Sequence, residues 1–246
     1  MNNFEQYAEI SDEQLVEVAR EFEKEALRHA LADPLAMANA KSAYWETLCL
    51  AGGVRLVILD RRPDDEAALK GFYELTRLYE YRPPALASVI TRVVAHYQRA
   101  VAEHPNEPMS YMRLAMATNV AQGMSKGQYP GSRYLKRAVS LSRDHAEICV
   151  EMGRYTNSRK RGWLPWRSGG RDAAVKWFER AISIDPDCAD AYLELGHIEG
   201  SAKAPDKARV EDMLSKAASI SARSSTPNVF AQQYHVILAH RIVGRL

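Results

Sequence analysis

The amino-acid sequence predicts an all-α protein built as a stack of helical hairpins, and three observations carry that expectation. Apolar residues recur at three- and four-residue spacing along most of the chain, the period of a helix with one buried face. No stretch of convincing length alternates apolar with polar residues, as a half-buried strand would. A segment also repeats: Tyr97-Gln98-Arg99-Ala100-Val101, Tyr134-Leu135-Lys136-Arg137-Ala138-Val139 and Trp177-Phe178-Glu179-Arg180-Ala181-Ile182 align on an Arg-Ala-aliphatic triplet. Five residues past the shared Ala stand Pro105, Arg143 and Pro186; fourteen past it stand Leu114, Met152 and Leu195; fifteen past it stand Ala115, Gly153 and Gly196. That order reads as the second helix of one hairpin, a turn, and the first helix of the next, with small residues where paired helices come close.

The elements follow in order. Ser11 is the N-cap of a helix carrying Leu15, Val18, Ala19, Phe22 and Ala26 on one apolar face. Residues 36–50 and 54–60 read as two apolar helices separated by Gly52-Gly53. Pro63-Asp64-Asp65-Glu66 opens a helix with Leu69, Phe72, Tyr73 and Leu75, which Pro83-Pro84 ends. Residues 88–102 form the first recognisable second helix of a hairpin, and roughly ten to twelve helices are expected in all. The repeat is hard to read before residue 91, which divides the chain into an N-terminal helical region, 1–90, and a repeat region with C-terminal capping helices, 91–246.

The third copy matches a known pattern best. Ala174, Phe178, Ala181 and Pro186, followed by Tyr192, Leu195 and Gly196, resemble the tetratricopeptide repeat. Glu199 stands where that pattern has an aromatic residue, and Arg143 where it has Pro. The resemblance implies a degenerate tetratricopeptide-type stack that binds rather than catalyses. The aligned alanines are 38 and 43 residues apart, against about 34 in a regular repeat. The excess falls between Ala115 and Gly131 and between Gly153 and Ala174, inside the hairpins and on one edge of the stack.

Composition excludes several functions. A formal charge of +2 with 26% charged residues gives no overall attraction to nucleic acid, and none is expected as a partner. Cys49, Cys149 and Cys188 are odd in number, lack CxxC spacing and stand among apolar neighbours, so they read as buried thiols rather than disulfides or a zinc site. Seven dispersed histidines form no HExxH motif; His235 and His240 are five apart. With no GxSxG, Walker or GxGxxG motif either, no catalytic residue, metal or cofactor is expected.

Two features point to binding. Residues 154–171 hold Arg154, Arg159, Lys160, Arg161, Arg167 and Arg171 around Trp163, Leu164, Pro165 and Trp166, with no acid before Asp172. As an inserted loop that ends in the flexible turn Gly169-Gly170 before the next helix, this segment either packs its tryptophans on the stack or presents them. In the second case Trp163, Trp166 and Leu164 meet a hydrophobic ligand, while Arg159, Lys160, Arg161 and Arg167 attract an acidic partner or anionic headgroups. The other feature is apolar excess at Leu48, Cys49, Leu50, Val54, Leu56, Val57, Ile58 and Leu59, with Met109, Met112 and Met116 on one helical stripe. Such residues fill a core or line a lipid pocket.

Leu164-Pro165, Gly169-Gly170-Arg171-Asp172-Ala173 and Phe178-Glu179-Arg180-Ala181 with Ile184, together with the Ala-rich end at 231–246, resemble the T component of tripartite ATP-independent periplasmic (TRAP) transporters. This likeness covers residues 95–246. It implies a non-catalytic transport component holding a lipid, sterol or fatty acid in a helical cavity, with a periplasmic or membrane transport protein as partner and peripheral membrane association. It also implies a periplasmic or outer-membrane-associated location, with export signal and lipobox removed. Residues 1–5, with neither a basic nor an apolar leader region, otherwise read as cytoplasmic. The alternative function is an adaptor that binds a peptide or protein in its concave groove.

Overall fold

The computed structural model describes residues 7, 9–32, 43–79, 83, 86–123, 129–158, 169–202 and 204–223. Ten helices take up 84% of them, and no strand occurs among the described residues, so the protein is all-α as its sequence predicts. In order they are α1 (Asp12–Ala32), α2 (Ala43–Arg61), α3 (Glu66–Tyr79), α4 (Leu86–Glu103), α5 (Pro108–Gln122), α6 (Ser132–Leu141), α7 (Ala146–Ser158), α8 (Gly169–Ile184), α9 (Ala189–Gly200) and α10 (Lys207–Arg223). They fall into two compact units, one of Met1–His29 with Leu35–Leu141, the other of Ala30–Pro34 with Ser142–Leu246. The expected boundary between residues 90 and 91 lies inside α4.

In the first unit α1 starts with a reciprocal cap: the Ser11 N–H donates to Gln14 Oε1 at 3.0 Å and the Gln14 N–H donates to Ser11 Oγ at 3.3 Å. Leu15, Ala19 and Ala26 are buried. Glu23 is buried beside them and accepts from Arg55 Nε of α2 at 2.6 Å. Helix α2 runs unbroken through Gly52-Gly53, which corrects the expected break. Two helical glycines cost about 2 kcal/mol together, and the burial of Tyr44, Leu48, Val54, Leu56, Ile58 and Leu59 on this one helix outweighs that. Asp65 caps α3 by accepting from the Ala68 N–H at 2.8 Å, and Leu69, Phe72, Tyr73 and Leu75 are all buried as expected.

The apolar run of α2 is not buried throughout. Leu50 is 40% exposed and Cys49 is exposed, whereas Cys149 and Cys188 are buried. The expectation of three buried thiols is therefore corrected at Cys49, which the helical period turns outward with Glu46 and Leu50. Titration of the native protein with a chromogenic disulfide reagent is expected to modify Cys49 first, with Cys149 and Cys188 reacting after unfolding. Burial pushes both the Cys49 and the Cys149 thiol up from the ordinary value, so accessibility rather than acidity sets the order. Equal rates at all three cysteines would contradict the assignment.

Helix α5 is the centre of the first unit. The Glu107 carboxylate caps it, accepting from the Met109 N–H at 2.9 Å and from the Ser110 N–H, and Gly123 closes it at φ 76°. Every residue from 112 to 120 is buried, because α3, α4 and α6 all pack against it. At the crossing with α6, a Cβ on Gly131 would lie 2.2 Å from the Ala115 carbonyl oxygen. The Gly131 N–H donates to Asn119 Oδ1 at 2.7 Å. The close approach expected of these two small residues is real.

The second unit repeats the device twice. Gly153 of α7 lies against the Phe178 ring of α8, where a Cβ would be 2.5 Å from Cε1, and Gly196 of α9 lies against Leu214 of α10. Helices α6, α8 and α10 carry the same stripe: Gly131 just ahead of α6 with Leu135 and Ala138; Ala174, Phe178 and Ala181; Val210, Leu214 and Ala217, all buried. Helix α10 is thus a further copy that the sequence does not announce, since Lys216-Ala217-Ala218 replaces the Arg-Ala-aliphatic triplet. The lengthened connections run from α5 to α6 and from α7 to α8, inside the hairpins as expected. Gly169 and Gly170 form the first turn of α8 rather than a flexible turn before it.

Candidate functional site

The described residues offer two places where chemistry concentrates. The first is an open groove of about 410 Å³ along α1, lined by Ile10, Gln14, Glu17, Val18, Glu21 and Phe22. It follows from a second stripe on this helix. Ile10, Gln14, Val18 and Phe22 are four residues apart and lie beside the buried Leu15, Ala19 and Ala26 row, so a helix whose apolar arc exceeds its core contact leaves one edge open. The accessible lining is apolar, because the polar members contribute mainly their stems. At the rim Glu17 pairs with Arg20 and Lys24, and Glu21 with Lys24. The hydrogen bond and charge of Lys24 hold the Glu21 carboxyl below its ordinary value, and the same contact raises Lys24.

The second place is an ionic cluster between α7 and α9. Arg154 donates from Nε to Glu194 Oε1 and from Nη1 to Glu151 Oε1, each at 2.7 Å, and its Nη2 lies 3.5 Å from Asp190 Oδ1. All four residues are buried. One guanidinium fork therefore meets three carboxylates on the first helices of consecutive hairpins. Sequence reasoning misses this site, because Arg154 reads as the start of a basic loop. It belongs to α7, and Arg171 belongs to α8 with its Nη2 donating to the Ile198 carbonyl at 2.6 Å. Both corrections have one cause: the flanking helices extend further into the basic segment than its composition suggests. The available signal is spacing, with Glu151 and Arg154 three apart and Asp190 and Glu194 four apart among apolar neighbours such as Val150, Tyr155, Leu193 and Leu195.

The remaining expected site residues are placed as follows. Met112 and Met116 are 1% and 3% exposed, closed inside the first unit, while Met109 is half-buried in the first turn of α5. Met116 Sδ accepts from Arg113 Nη1 at 3.8 Å, so it packs within the core. Trp163, Leu164, Trp166, Arg159, Lys160, Arg161 and Arg167 lie outside the described residues. Among the described residues no group of three His, Cys, Asp or Glu is placed to hold a metal, and no helix is long and apolar enough to cross a membrane.

Comparison with protein-family models and with the curated proteins returned no match.

Proposed function

We propose that the protein is a non-catalytic binding component of a transport system and that the groove along α1 receives a hydrophobic molecule such as a lipid, sterol or fatty acid. The observation that carries this reading is the apolar groove itself, whose volume of about 410 Å³ falls in the range of small-molecule sites. Its lining runs from Ile10, just before α1, to Phe22, and the helical part from Gln14 to Phe22 covers about 12 Å of axis, which suits an elongated molecule. The expected result is a co-purified lipid in native mass spectrometry or organic extraction, and saturable binding of a fluorescent fatty acid or sterol that Val18→Glu/Phe22→Glu weakens about tenfold. These side chains are half-buried rather than core, so the variant is expected to keep its helical circular dichroism. Absence of both extractable lipid and saturable binding removes this reading.

A second reading, an adaptor for a peptide or protein, is supported by the α7–α9 cluster, which fixes the first helices of two hairpins as one rigid face. It is favoured if lipid assays fail. For the compartment we propose the periplasm with outer-membrane association and a membrane transport protein as partner, the cytoplasm being the alternative; cell fractionation distinguishes them.

A further inference from the structure

We infer that the exposed face of α6 is a docking surface for an acidic protein segment, independently of what the α1 groove binds. Residues 108–143 contain no acidic residue. Within that stretch α6 turns Arg133, Lys136 and Arg137 outward and buries Leu135, Ala138 and Val139. Arg133 lies with Cζ 4.4 Å over the Tyr134 ring and donates from Nη2 to the Tyr134 hydroxyl. Arg137 lies with Cζ 5.8 Å from the Tyr111 ring centroid. Neither guanidinium pairs with a carboxylate among the described residues.

Several cations of the first unit differ from these two: Arg20, Lys24, Arg28, Arg62 and Arg92 each have a carboxylate partner, so their charge is already answered. Arg133 and Arg137 are instead held by aromatic rings, which attract a cation through the π face and leave its N–H edges for an anion. They are four residues apart on one helix, which places them about 6 Å apart. Two carboxylates one helical turn apart on a partner match that spacing, each accepting two parallel hydrogen bonds from one guanidinium fork. The exposed face carries Arg133, Lys136, Arg137 and Ser140 and no large apolar side chain to insert into lipid. Three cations alone contribute only about 1 kcal/mol each at an anionic membrane, so a protein partner is the better fit.

The test uses the full chain and a fluorescein-labelled helical peptide with Glu at every fourth position, followed by fluorescence anisotropy. Saturable binding at low salt is expected, weakening several-fold at physiological ionic strength. Arg133→Glu/Arg137→Glu is expected to weaken it at least tenfold, and Arg133→Lys/Arg137→Lys several-fold, because Lys keeps the charge and loses the fork. Both positions are exposed, and unchanged circular dichroism confirms that the variants fold. The proposal is overturned if the peptide fails to bind, if the charge-reversed variant binds it as well as the parent, or if the Lys variant loses nothing. It is equally overturned if phosphatidylserine vesicles or a DNA duplex bind in preference and the peptide does not displace them.

Discussion

Replacing Arg154 with Met is expected to destabilise the protein by about 3–5 kcal/mol, the cost of removing one member of a buried ionic group and leaving the others without it. The loss comes from three carboxylates on α7 and α9, Glu151, Asp190 and Glu194, kept from water with their shared cation gone. Volume is not the cause, since Met fills much of the same space. Arg154→Lys keeps the charge but cannot reach Glu151, Asp190 and Glu194 at once, and about 1–2 kcal/mol is expected from it. Adding Glu151→Gln and Glu194→Gln to Arg154→Met is expected to recover part of the loss, because the uncompensated charges go. Urea unfolding of the four proteins measures the series. A loss under about 1 kcal/mol for Arg154→Met would show that water or other cations already serve these carboxylates.

Gly131→Ala and Gly53→Ala are expected to act in opposite directions although the chemical change is the same. At Gly131 the new Cβ meets the Ala115 backbone, its oxygen at 2.2 Å and its Cα at 2.8 Å, so α5 and α6 must separate. Backbone cannot rotate away as a side-chain tip can, and about 3 kcal/mol of destabilisation is expected, at the upper end for overpacking. At Gly53 the new Cβ meets nothing within 4 Å, and Ala in the middle of α2 is expected to stabilise by about 0.5–1 kcal/mol through helix propensity. Gly71→Ala falls between them, since the atoms nearest its Cβ belong to the Arg55 guanidinium, which can move at the expense of its hydrogen bond to Glu23. Thermal melts of the three variants give the order directly, and a Gly131→Ala protein as stable as the parent would refute the close crossing.

The helices themselves were legible because their signals are local. The Ser11 cap, the Asp65 start of α3 and the repeated Ala-centred triplet all sit at the positions where the structure uses them. Gly52-Gly53 misled for the opposite reason: local preference says break, while burial on both sides of the pair decides for a continuous helix. The apolar residues of α1 read as one face, yet Leu15, Ala19 and Ala26 go inward and Val18 and Phe22 border the groove. Periodicity gives the width of an apolar arc, and only the neighbours decide which edge stays open. For the methionine stripe, periodicity leaves core filling and a pocket equally open, and the neighbours decide: Met112 and Met116 lie in the enclosed part of α5 and face protein, while Met109 is half-buried in its first turn. Arg154 was out of reach because its partners Asp190 and Glu194 are 36 and 40 positions away in sequence.

The enclosure of α5 also has a mechanical meaning. From residue 112 to residue 120 it has no solvent side into which to yield, and close-packed interiors compress little. A load placed on α6, which crosses α5 at Gly131 with backbone against backbone, is therefore delivered to α3 and α4 through solid contact instead of being absorbed at a soft surface. Helices α3, α4 and α6 thus share a rigid axle, and a tug on one of these spokes is felt by the others.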